Sequence, residues 1–221
     1  MMMPTILYCY DAYCGWCYGF SPVMSKIYHE YKGRLLFETL SGGMIPVEAV
    51  QHISKMAGYI ADAYTKVEEL TGIKFGEDYL WHVMNPDKSD WYPSSEKPAI
   101  AMTVFRDYHP DDTVDFAADL QRALHFDGRD LTDNEAYRHL LEKHSIPEQE
   151  FYDKLSSEEY KERAYYDFNL VKQLQVTGFP AVFLQANDLK FFLLAKGYTD
   201  YDTLKGRIEK VLSEIKKTAD D

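Results

Sequence analysis

The sequence predicts an α/β fold, a small sheet into whose chain an all-helical segment is inserted. Three observations predict it. A short apolar run at Thr5–Tyr10 passes directly into a C-x-x-C and an amphipathic helix. A second β-prone run follows that helix, and from residue 44 to 164 the chain then shows helical periodicity only. β character returns after Phe179-Pro180 as two adjacent arms and gives way to a last helix.

Taken in order, Thr5-Ile6-Leu7-Tyr8-Cys9-Tyr10 reads as a buried strand. Phe20, Val23, Met24, Ile27 and Tyr31, spaced three and four apart, mark one face of the first helix. Pro22 removes one backbone hydrogen bond inside it and predicts a kink, and Gly33 ends it. Arg34 to Leu40 is the second strand, parallel to the first through a right-handed crossover, and Ser41-Gly42-Gly43 breaks it. Within the insert, Pro46 opens a long helix running from Val47 to Val67 and closed at Thr71-Gly72. A short helix is expected near Asp78–Met84, and another after a cap at Ser94 or Ser95, carrying Ile100, Val104 and Phe105 inward. Val114, Ala117, Leu120 and Leu124 mark the next, ending near Gly128. Thr132 to Glu135 is a capping-box pattern, Pro147 starts a short helix, and Ser156 with Glu159 caps one through Tyr160, Ala164 and Val171. Ala181 to Leu184 and Lys190 to Ala195 form a hairpin turned at Asn187-Asp188. The last helix buries Leu204, Ile208 and Val211, and residues 216–221 read as a frayed tail.

The chemistry concentrates in Cys14-Gly15-Trp16-Cys17. Two cysteines three apart on a first helical turn lie roughly 5–6 Å apart, within reach of a disulfide. Cys14 stands where free N–H groups and the positive end of the helix dipole favour an anion, so its thiolate is expected to form more readily than that of a free cysteine. Cys14 is then the attacking sulfur and Cys17 the one that resolves the mixed disulfide. The competing use of a C-x-x-C is zinc, which needs about two further ligands. The only other cysteine is Cys9 on the first strand, and His139 and His144 lie far along the chain on different helix faces. No metal is expected. Asp11, just before the motif, and Glu38, in an otherwise apolar strand, are candidate proton acceptors for Cys17.

Composition excludes other classes. A formal charge of −12 over 221 residues opposes a nucleic-acid surface. No apolar run approaches the roughly 20 residues of a membrane span, and Met1 to Thr5 lacks the charged start of a secretory signal. Three cysteines do not make a structural disulfide framework, so a cytoplasmic setting is expected.

The order strand, C-x-x-C helix, strand, helical block, helix, Gly-Phe-Pro, hairpin, helix resembles the thioredoxin-like fold as it occurs in the DsbA-like superfamily. Tyr10 to Phe20 is most similar to the cytoplasmic FrnE-like branch and its protein-disulfide isomerase relatives, and residues 125–130 resemble a turn between insert helices there. The resemblance implies a thioredoxin-like domain of residues 1–43 plus 165–221 and a helical insertion domain of 44–164. It implies that Thr177-Gly178-Phe179-Pro180 is the cis-proline loop, with the Phe179 backbone free to pair with an extended substrate beside Cys14. Trp16 and Phe179 would then form an apolar landing surface, supported by Gly15. The implied activity is thiol–disulfide exchange or isomerisation on proteins, with protein or small-molecule thiols and disulfides as partners. No organic cofactor is needed, and glutathione is the one co-substrate implied. Kappa-class glutathione transferases and chromene-carboxylate isomerases share the architecture but carry serine where Cys14 stands, and remain the alternative. Gly15-Trp16 holds no histidine, so the disulfide is expected to be a milder oxidant than that of the periplasmic members.

Overall fold

The computed structural model describes residues 3–220. Strands β1 (Thr5–Tyr10), β2 (Leu36–Ser41), β3 (Ala181–Asn187) and β4 (Lys190–Lys196) form one sheet in the order β2-β1-β3-β4. β1 pairs parallel to β2 and antiparallel to β3, and β3 antiparallel to β4. The parallel pair is joined through helix α1 (Gly15–Tyr31), the strand–helix–strand unit read from the sequence. Between β2 and β3 lie α2 (Ala57–Thr71), α3 (Glu77–Met84), α4 (Glu96–Tyr108), α5 (Thr113–His125), α6 (Arg138–Lys143), α7 (Glu148–Leu155) and α8 (Glu158–Gln173). Helix α9 (Tyr201–Asp220) closes the chain, running through most of the expected tail, and Asp221 lies outside the described residues, as do Met1 and Met2.

Alternation along the strands splits the core in two. Ile6, Tyr8, Tyr10, Val182 and Leu184 face Phe20, Met24, Ile27, Leu204 and Ile208, and that core runs on without a break into the insert through Phe105, Phe116 and Leu120. Leu7, Cys9, Leu40, Ala181 and Phe183 point the other way, onto Val171 of α8. The insert and the sheet therefore share buried surface. The boundary drawn at 164/165 falls inside α8, a single unbroken helix. Arg106 of α4 ties it down, donating to Asp167 Oδ2 at 2.9 Å and to the Thr39 carbonyl at 2.8 Å at the end of β2.

Several boundaries differ from the sequence reading. The long helix expected from Val47 starts at Ala57, preceded by 3-10 turns at Val47–Ala49 and Ile53–Lys55. Val50 is extended, and the Ile53 N–H donates to the Trp91 carbonyl at 2.9 Å, so a tertiary contact interrupts the helical pattern. Ser157, not Ser156, caps α8, and Asp133, not Thr132, caps a 3-10 turn that precedes α6. Gly72 stops α2 in the left-handed region at φ 77, where a Cβ would be strained. Among the described residues no helix is long and apolar enough to cross a membrane.

Candidate active site

The site forms where β1 hands over to α1. Cys14 is the N-cap residue of α1 with extended backbone, and its Sγ receives the Cys17 N–H at 3.3 Å. A sulfur in that position takes up one of the otherwise unpaired donors of a helix start. Both cysteines carry free thiols, Cys14 at 6% exposure and Cys17 at 0%. Across from them the Phe179–Pro180 peptide bond is cis, as the resemblance implies, and the Cys14 thiol donates to the Phe179 carbonyl at 3.6 Å. Pro180 is buried, and its carbonyl accepts from the Gly197 N–H at 2.7 Å, which fastens the loop to the end of β4.

Burial pushes the Cys17 thiol well above its usual range; its hydrogen bond with Cys14 pushes the same way, the Asp11 charge adds to it, and the Asp11 backbone N–H opposes. Cys17 therefore stays protonated until a base removes its proton. Asp11 is itself 2% exposed. Its Oδ1 accepts from the Tyr13 N–H and the Ser95 hydroxyl, both at 3.0 Å, and its Oδ2 from the Met44 N–H at 2.8 Å. Burial raises the Asp11 carboxyl and these donors partly offset the rise.

Glu38 is in a different place. It stands opposite Leu7 in the parallel register, on the α8 side of the sheet, whereas Cys17 packs on the other side with Tyr8 and Tyr10. Its electrostatic neighbours are Arg106 and Asp167, and its side chain is exposed. The period of two that made Glu38 conspicuous in an apolar strand also carries it away from the thiols. Cys9, on that same far side, is pushed up to about 12 by burial first and by the Asp167 and Glu38 charges next.

Trp16 is half-buried and lines, with Cys14 and Gly15, an apolar cavity of about 250 Å³ against the insert. Gly15 is held close by the Phe75 ring, 3.4 Å from where a Cβ would stand. Phe179 is half-buried and lies over Gly42, whose Cβ would come 2.1 Å from the ring tip. Gly42→Ala is thus expected to displace the ring whose backbone faces Cys14. Exchange should slow roughly 10- to 100-fold with little change in melting temperature. Turnover assays beside thermal unfolding check this, and an unchanged rate contradicts it.

Three residues that hold the active-site turn were not assigned to the site from the sequence. Ser95 of the insert reaches Asp11, the Gln121 amide donates to the Asp11 carbonyl at 3.4 Å, and His125 Nε2 pairs with the Ala12 carbonyl at 3.2 Å. All three lie at least 84 residues from the turn they hold. Ser95 was read as a helix cap, yet its hydroxyl makes no cap bond and is turned to the active-site turn instead. His125 stood in the stretch likened to a turn between insert helices; in the structure it ends α5, stacked on Tyr18.

Comparisons with known proteins agree with this geometry. The model of the DSBA-like thioredoxin domain matches residues 5–209. A candidate protein disulfide isomerase from Nitrosomonas europaea superposes with TM-score 0.83 at 24% identity, covering 96% of this chain and 99% of that one. The cytosolic disulfide reductase DsbM from Pseudomonas aeruginosa superposes with TM-score 0.76 at 25% identity, over 95% and 98% of the two chains, and a second DsbM structure holds GSH. A 2-hydroxychromene-2-carboxylate isomerase shares the fold at TM-score 0.64 and 13% identity, over 98% of each chain. No curated protein sequence matches significantly. The family match spans nearly the whole chain, sheet and insert alike, and so the protein belongs to the DSBA-like thioredoxin domain family.

Proposed function

We propose that the protein is a thiol–disulfide oxidoreductase that exchanges or isomerises disulfides of protein substrates through Cys14 and Cys17. One observation carries this reading: the Cys14 sulfur caps a helix, receives the Cys17 N–H and faces the carbonyl that precedes a cis-proline. In the reducing direction the Cys14 thiolate attacks one sulfur of a substrate disulfide, a mixed disulfide forms, and the other sulfur leaves and takes a proton. Cys17 then loses its proton and attacks the Cys14 sulfur. The substrate departs as a thiol and Cys14–Cys17 becomes the disulfide. Two electrons from a thiol donor return it to the dithiol. Glutathione is such a donor, and the GSH held by DsbM supports a small thiol in this role. The absence of serine at position 14 favours exchange over the glutathione-dependent transferase or isomerase chemistry of proteins with the same fold. A cytosolic setting, like that named for DsbM, fits a pair that must be re-reduced.

Trp16, Phe179 and Pro180 hold the substrate chain in this scheme, and Asp11 accepts the proton of Cys17. The Asp11 test is Asp11→Asn. Resolution of a preformed mixed disulfide is expected to slow about 10²-fold at neutral pH and to acquire a steeper dependence on hydroxide. Loss of the Asp11 charge also eases Cys17 ionisation, but that charge contributes less to the Cys17 shift than burial does. An unchanged pH profile removes Asp11 from the mechanism. The reading as a whole is tested by insulin reduction and by refolding of a scrambled disulfide substrate; inactivity in both assays overturns it.

A further inference from the structure

Tyr18, Tyr28, Tyr31 and Tyr137 are buried in the larger core with their hydroxyls paired. They donate to the Lys74 carbonyl at 2.9 Å, Asp112 Oδ1 at 2.9 Å, Glu209 Oε1 at 2.6 Å and the Leu131 carbonyl at 2.6 Å. Tyr8 of β1, at 1% exposure, has a hydroxyl that meets no hydrogen-bond partner among the described residues. Buried polar groups are hydrogen-bonded as a rule, so an exception of this kind calls for a use. Tyr8 stands opposite Thr39 of β2 and Val182 of β3 and points to the α1 side of the sheet. The Thr39 hydroxyl is engaged by Thr113 at 3.1 Å, and Val182 has no polar side-chain atom, so neither flanking strand supplies a partner. The Tyr8 ring packs 5.6 Å from the Tyr10 ring and 6.1 Å from that of Phe20. Phe20 and Cys17, three apart, share the buried face of α1, so Tyr8 lies beneath the face that carries the Cys17 sulfur. Burial raises the Tyr8 phenol well above its usual range; Cys17 pushes it the same way, followed by Cys14, Tyr10 and Cys9. Tyr8 thus stays protonated, a hydrogen-bond donor beside two sulfurs.

We propose that the Tyr8 hydroxyl turns its hydrogen toward the Cys17 sulfur and stabilises the thiolate formed there when the Cys14 mixed disulfide resolves, making Tyr8 a positioning residue for the second step of exchange. This rests on the oxidoreductase reading above and adds the group that steadies the charge Asp11 uncovers. In that step the Cys17 proton passes to Asp11 and the Cys17 sulfur bonds to that of Cys14. The bond between Cys14 and the substrate breaks, and the substrate sulfur leaves with the electron pair and takes up the proton. Tyr8 keeps its own proton throughout and lends only a dipole. A hydroxyl without a partner in the resting dithiol can make an interaction that exists only as charge develops, the kind that speeds a step. In the low-dielectric interior that dipole counts for more than it would in water.

The test is the reaction of the reduced full chain with dithiobis(nitrobenzoate), an aromatic disulfide whose thiolate is coloured on release. Attack by Cys14 releases the first thiolate and resolution by Cys17 the second, so one trace reports both steps. Tyr8→Phe is expected to slow the second release roughly tenfold and to leave the first within about twofold. Its melting temperature should be equal or higher, because only an unpartnered buried hydroxyl is lost. Reduction of the oxidised protein by glutathione expels the same Cys17 thiolate and should slow by the same factor, leaving the midpoint potential where it was. Tyr8→fluorotyrosine, a more acidic phenol of nearly the same shape, is expected to restore the second release to the wild-type rate or above. An unchanged second release, equal slowing of both releases, a fluorotyrosine rate as low as that of the Phe variant, or failure of Tyr8→Phe to fold overturns the proposal. A wild-type protein that shows no second release overturns the oxidoreductase reading itself, a result distinct from a second release indifferent to Tyr8.

Discussion

Cys14→Ser is expected to reduce disulfide exchange at least about a thousandfold, because a hydroxyl at neutral pH neither ionises nor attacks sulfur as a thiolate does. Cys17→Ala leaves the first attack intact and should accumulate a mixed disulfide on Cys14, visible as an added mass on the peptide that contains residue 14. The two variants separate the proposed attacking sulfur, Cys14 at 6% exposure, from the proposed resolving one, Cys17 at 0%. Cys9→Ala supplies the control. Cys9 packs on the α8 side of the sheet with its thiol pushed up to about 12, and its removal should leave turnover within about twofold. An adduct on Cys9 in the Cys17→Ala protein, or undiminished turnover in Cys14→Ser, contradicts the assignment.

The second large effect concerns stability against pH. His125 is 1% exposed, and burial lowers its pKa from 6.5 to about 3, with the hydrogen bond to the Ala12 carbonyl working in the opposite direction. Between these values the unfolded chain binds a proton at this site and the folded chain does not, so stability rises with pH across that window and falls on acidification. Above the unfolded value the folded protein suffers no such penalty. The loss begins as pH drops through the mid-sixes and reaches on the order of 4–5 kcal/mol near pH 3. His125→Gln can keep a donor toward the Ala12 carbonyl without taking up a proton. Denaturant titrations at several pH values should therefore show a flatter acid limb for this variant than for wild type. The raised carboxyl of Asp11 acts with opposite sign, contributing fully below its unfolded value and losing that contribution as pH rises through its folded one. It is present in both proteins and drops out of the difference. Identical acid limbs contradict the burial of a neutral His125.

How much of this was legible follows from the range of each interaction. The strand, C-x-x-C and helix were readable because their signals are local: a β-prone run, an N-terminal helix position and a three-and-four spacing ending at Tyr31. The Phe179–Pro180 geometry came from resemblance, since a sequence shows only that a proline follows a phenylalanine. Glu38 was misplaced because the face of β2 that meets the thiols depends on register, which pairing with β1 decides. The start of α2 was misread for a similar reason, as Trp91 intercepts Ile53 from 38 residues away. Ser95, Gln121 and His125 could not be found at all. Each looks ordinary within its own helix, and its role lies in a hydrogen bond to the Asp11–Tyr13 turn that only the packed insert creates. The insert thus does more than cover the site: it holds the turn from which Cys14 projects.

The account turns on one exchangeable bond between Cys14 and Cys17, and a redox titration of the wild-type protein in glutathione buffers tests it most directly, with the bridged peptide quantified by mass spectrometry. The account predicts a single two-electron transition between the 14–17 dithiol and its disulfide, with a midpoint of about −180 mV or lower, in the range of isomerases and reductases. No bridged peptide under any buffer, or a midpoint as oxidising as about −120 mV, contradicts it.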